Sequence, residues 1–101
     1  MNIRIVEECW GINRRTGKQS SAKTDDKVFT PIVGTAIDMP IGRRSFIVDD
    51  VGDIGVTVTV HYENNPSANK TWVIAKGESV NYRPMSMDGG YKYTITYENE
   101  S

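Results

Sequence analysis

Leucine is absent from this chain and alanine occurs only four times, so the residues that most readily build stable helices are missing. A single cysteine, Cys9, excludes an internal disulfide and fits a reducing compartment. Charge of one sign is not in excess either. Twelve basic and 13 acidic residues leave a formal net charge of −1, which offers no overall attraction to a phosphate backbone or to anionic lipid. Nucleic acid and membrane are therefore disfavoured as partners. Met1 is followed by Asn2, Arg4, Glu7 and Glu8 without a long apolar run, so the start shows neither a secretory core nor a membrane span. If Met1 is the natural start, a cytoplasmic protein is expected. Asn69-Lys70-Thr71 and Asn99-Glu100-Ser101 match the glycosylation acceptor pattern, which has meaning only in a secreted chain.

What is present is strand material: ten isoleucines, ten valines, nine threonines and five tyrosines. Val56, Val58, Val60 and Tyr62 alternate with Thr57, Thr59 and His61, a period of two that turns one set to a core and the other to solvent. Tyr91, Tyr93, Ile95 and Tyr97 repeat that pattern against Lys92, Thr94 and Thr96, after the turn residues Asp88-Gly89-Gly90. Weaker alternation marks strands over 2–9, 45–48, 71–75 and 80–82, with Pro84 closing the last and the polar run 63–69 preceding Thr71. Val28 to Val33 reads as a short edge strand because Pro31 lacks a ladder donor. Residues 11–27 hold only Ile12 and Ala22 as apolar members, and read as a mobile polar loop or a polar hairpin around Thr16-Gly17-Lys18.

About seven strands with turns every eight to twelve residues point to one all-β domain spanning 1–101, an antiparallel sandwich with little or no helix. The segment Asp88-Gly89-Gly90-Tyr91-Lys92-Tyr93 is similar to the approach to a late strand in immunoglobulin-like sandwiches, where an acidic turn precedes a corner tyrosine. The cysteine pair and core tryptophan of true immunoglobulin domains are absent, so the resemblance implies an immunoglobulin-like outline and no more.

Few residues carry a chemical signature. Gly11 to Lys18 imitates a phosphate loop, but five residues separate the glycines, Gln19 replaces the magnesium-binding hydroxyl, and no helix follows. Asp25-Asp26, Asp49-Asp50, Asp53 and Asp88 fall in separate turns that could offer carboxylates to calcium, yet they match no EF-hand spacing and aspartate is an ordinary turn residue. No metal or cofactor is expected. His61 is the lone histidine and nothing links it to Cys9, so no nucleophile–base pair is legible and the chain reads as a non-enzyme.

By elimination, the first reading is a protein-interaction or self-associating module whose open edge is the strand carrying Val28, Pro31, Ile32 and Val33. The alternative is a carbohydrate- or small-anion-binding domain that uses exposed Trp10 and Trp72 for stacking. Arg14, Arg15, Arg43 and Arg44 would then supply the positive charge.

Overall fold

The computed structural model describes residues 1–62, 69–84 and 89–98. Eight strands form: β1 (Asn2–Ile12), β2 (Gln19–Phe29), β3 (Ala36–Met39), β4 (Arg44–Val51), β5 (Gly55–Tyr62), β6 (Lys70–Ala75), β7 (Ser79–Tyr82) and β8 (Gly89–Glu98). They make two antiparallel four-stranded sheets, in the orders β2-β1-β8-β7 and β3-β4-β5-β6, packed as a sandwich. The two-layer outline is the expected one. The strand order is its own, because one sheet is an uninterrupted meander and the other joins both ends of the chain through β1 and β8.

The alternating segments supply the core. Val56, Val58 and Val60 on β5 face Ile3 and Ile5 on β1 and Tyr93, Ile95 and Tyr97 on β8, all within one buried cluster with Phe46 and Val48. Thr57 and Thr59 on the opposite face of β5 stay partly exposed, as the period of two requires.

Two expectations need correction, and one strand was not anticipated. Residues 19–27 are not loop: they belong to β2, which pairs with β1 from Ile3↔Phe29 to Ile12↔Gln19. The strand carries little apolar surface because it is an edge whose ladder is satisfied by β1 and whose side chains are held by charge. Arg4 Nε and Nη2 donate to the two carboxylate oxygens of Asp26 at 3.0 and 2.7 Å, and Lys23 reaches the same carboxylate at 3.1 Å. The turn that joins the strands is the hairpin alternative: Gly17 adopts φ 69°, and Asn13 exchanges backbone bonds with Gly17 and Lys18. The second correction concerns 28–33. Only Val28 and Phe29 are strand, and Pro31, Ile32 and Val33 lie in the connection to β3, where Thr35 N–H donates to the Ile32 carbonyl. Proline and the positive φ of Gly34 end the ladder there. The strand not anticipated is β3. Its four residues alternate Ala36-Ile37-Asp38-Met39, with Ile37 and Met39 buried, a run too short to stand out between two prolines.

Candidate functional site

Strand direction divides the molecule into two ends. The β1–β2 hairpin, the β3–β4 turn, the start of β6 and the exit of β7 share one end; the β4–β5 and β6–β7 turns and the β2–β3 connection share the other. The first end holds the most developed site.

Pro40 stops β3, and Arg43 N–H closes the turn on the Pro40 carbonyl at 3.2 Å. Arg43 takes φ 56°, the single left-handed non-glycine residue described, and its side chain is exposed without an ion pair among the described residues. Arg44 opens β4 directly opposite Tyr62. Its guanidinium lies 4.4 Å from the Tyr62 ring centroid and 5.9 and 5.8 Å from those of Tyr82 and Tyr93. Such rings favour a cation through their electron-rich faces. Nη1 donates to the Gly42 carbonyl at 2.6 Å, while the buried Nε has no acceptor among the described residues.

Behind this cation lies a buried acid. Glu7 follows Ile3 and Ile5 on the inward face of β1 and is fully buried, accepting bonds at 2.7 Å from both Tyr93 Oη and Thr24 Oγ1. Burial, and then the negative Glu7 beside it, push the Tyr93 hydroxyl well above the usual tyrosine range, while the positive Arg44 works in the opposite direction. Gly42 packs onto this pair so closely that a Cβ there would fall 2.0 Å from Tyr93 Oη and 2.6 Å from Glu7 Oε2. Only glycine lets the β3–β4 turn of one sheet rest on the Glu7–Tyr93 bond of the other.

Two open grooves flank Arg44. One of about 730 Å³ is lined by Asp38, His61 and Asn69 among others, the second of about 390 Å³ by Ile41, Pro84, Gly89, Gly90 and Tyr91. Arg43, Arg44 and Tyr62 line both. His61 is not free in the first, since its Nδ1 is bonded to the Asn69 amide at 3.1 Å.

Of the residues singled out in the sequence, Arg43 and Arg44 come together at these grooves. Arg14 and Arg15 sit exposed at the hairpin tip and line neither groove. Trp10 is corrected: it is only 3 % exposed, so it offers no stacking face. By alternation from Ile3, Ile5 and Glu7 it points to the outer side of its sheet, apart from the core cluster, with the Arg83 guanidinium 3.8 Å from its ring centroid. Trp72 is half-buried, edge-on to Tyr82 at 5.3 Å and covered by Lys70, so its ring is core-edge material. Cys9 is exposed on β1, in the sheet opposite that of His61. Asp25 and Asp26 are in β2 rather than a turn, engaged by Lys27 and Arg4, and Asp49 is bonded to Thr59 Oγ1. Among the described residues no three His, Cys, Asp or Glu side chains converge to hold a metal ion. Asp88, most of the 63–69 run and the 99–101 sequon lie outside the described residues. Val28 is exposed on edge strand β2, whereas Ile32 and Val33, 62 % and 58 % exposed, project from the connection at the opposite end.

No family model, no curated protein and no solved structure matches this chain. Glu7, Tyr62 and Tyr93 are the site residues that sequence reasoning did not single out. An acid at an inward position of an alternating strand was the available signal for the first.

Proposed function

We propose that this chain is a non-catalytic binding module that takes an anionic group, carboxylate or phosphate, in the grooves beside Arg43 and Arg44. The observation that carries the reading is the pairing of two differently held arginines. Arg44 is fixed by Gly42 and by the face of Tyr62, so its charge is oriented before a ligand arrives. Arg43 is exposed and uncommitted at a left-handed turn position, free to close a fork onto planar oxygens. Tyr62, Tyr91 and Ile41 give the rest of such a ligand an apolar floor. The test is a nuclear magnetic resonance titration with inorganic phosphate and with citrate. Saturable shifts at Arg43, Arg44 and Tyr62, lost in Arg43→Gln and kept in Arg14→Gln, are the expected outcome. Shifts that are absent, or equally sensitive to Arg14→Gln, overturn it.

Self-association, the other function expected from the sequence, draws on a separate observation. Ile54 is 80 % exposed in the β4–β5 turn, at the same end as the exposed Ile32 and Val33. Exposed apolar side chains gathered at one end favour a contact surface there.

A further inference from the structure

The two ends of the sandwich differ in charge and in shape. The end described above is concave and carries Arg43 and Arg44; the other presents the tight β4–β5 turn Val51-Gly52-Asp53-Ile54, closed by Gly52 N–H on the Gly55 carbonyl at 2.9 Å. That turn presents one carboxylate, Asp53, between Val51, 38 % exposed, and Ile54, 80 % exposed. Asp49 and Asp50 stand at its base, both exposed, and Lys76, whose N–H donates to the Ile54 carbonyl at 3.3 Å, stands beside it, so acidic groups outnumber basic ones there. The groove at the far end offers the complement: Arg43 exposed, and Ile41, 52 % exposed, close by with Tyr91. An acidic, apolar turn and a basic, aromatic groove on opposite ends of one chain are complementary between copies and out of reach of each other within a copy.

From this charge complementarity we infer that the Val51–Ile54 turn of one copy seats in the Arg43–Arg44 groove of a second, joining copies head to tail. The inference rests on the anion-binding reading of that groove and names its ligand as the Asp53 carboxylate of another molecule. Asp53 meets Arg43, and Ile54 meets Ile41 and Tyr91. The contact joins two different surfaces, so it leaves one free groove and one free turn at the two ends of every assembly, and it grows as an open series unless the rotation closes a ring. Because exposed charges set its strength, salt weakens it; at about 0.5 M salt the screening length falls below the size of the turn.

Light scattering coupled to size exclusion at low salt tests this. Wild-type chain is expected to show a mass that rises with concentration and returns to the monomer in high salt. Arg43→Glu and Asp53→Lys each remove one half of the contact, and each alone is expected to lose association by about tenfold or more, as for a reversed charge in a contact pair. Mixed together, Arg43→Glu still offers its turn and Asp53→Lys still offers its groove, so the mixture associates where neither variant does alone. A wild-type monomer at all concentrations overturns the inference, and so does association that survives either reversal. Phosphate titration of the Asp53→Lys monomer separates the two claims. Binding retained there with no wild-type association removes the head-to-tail contact alone, whereas loss of both removes the groove as an anion site.

Discussion

The two ends of this sandwich are closed by different means. At the acidic end the turns are short and the main chain satisfies itself: Gly77 N–H donates to the Tyr97 carbonyl at 2.7 Å, Tyr97 N–H to Glu78 at 3.0 Å, and Gly52 to Gly55 at 2.9 Å. At the basic end the sheets are tied by side chains, through Glu7, Tyr93, Thr24 and the Gly42 turn that rests on them. Backbone closure tolerates almost any side chain, so apolar and acidic residues can project from it. Side-chain closure demands particular residues, and a buried acid needs donors and a cation within the interior's low dielectric. Arg44, 5.8 Å from the Tyr93 ring centroid, stands beside the tyrosine that donates to Glu7, and with Arg43 and Tyr62 it lines both grooves. The tyrosine that satisfies Glu7 in the core also lends its ring to Arg44, so one residue serves both the closure of this end and its candidate site.

The sharpest way to break this comparison is to make the same substitution at both ends. Gly42→Ala forces a methyl group into the Glu7–Tyr93 bond, and a loss on the order of 3 kcal/mol is expected from overpacking and a disrupted buried hydrogen bond. Gly77→Ala meets nothing within 4 Å and suffers only from its φ of 84°, a cost of about 1–2 kcal/mol. Urea denaturation of the two variants measures both. Equal losses would show that the ends are not closed differently.

Tyr93 sharpens the comparison through pH. Its hydroxyl is held above its ordinary value of 10.0 in the folded chain, by burial first and by Glu7 second. A raised folded value means that the unfolded chain gives up this proton earlier. The stabilisation is complete below about pH 10 and is lost as pH rises beyond it. Alkaline unfolding curves should therefore steepen above that point. Tyr93→Phe should be less stable at neutral pH, having lost the donor to Glu7, but its stability should fall less between pH 10 and 12.

Asp26 belongs to neither end and supplies the smallest effect. The Arg4 guanidinium, with Lys23 behind it, holds its carboxyl at about 2, below the ordinary 3.8. A lowered folded value gives stability that is present above pH 4 and is lost as pH falls through about 2. The pair is partly exposed, with Arg4 at 43 % and Asp26 at 22 %, so Asp26→Asn should cost no more than about 1 kcal/mol at neutral pH. Acid titration of the two proteins should show a shallower decline in the variant. An effect as large as that of Gly42→Ala would move the centre of stability from the basic end to the edge strand.

The legible part of the fold is the part with a core face. β5 and β8 stand in the sequence because each inward residue is apolar and each outward one polar, and a slip of one residue would expose the whole set. β2 is illegible for the opposite reason. It lies at a sheet edge, its ladder partner is β1, and its contacts are charge pairs such as Arg4–Asp26, which leave no periodic trace. Trp10 was misread as exposed because it lies on the outer side of its sheet, where only the tertiary structure lays the Arg83 guanidinium over its ring. Among the site residues, Arg43 and Arg44 were visible as a charged pair beside a glycine, but the tyrosines that surround Arg44 come from β5, β7 and β8 and meet only in space.

Composition and period by themselves determined an all-β chain and the strands of its core, since branched and aromatic side chains at a period of two have one favourable arrangement. Tertiary structure decided the rest: that a polar segment becomes an edge strand, that a glutamate is buried, and that Arg43 and Arg44 stand at one end of the sandwich while Asp49, Asp50 and Asp53 stand at the other. Net charge is a sum over residues, whereas a binding surface depends on where strand direction carries each of them.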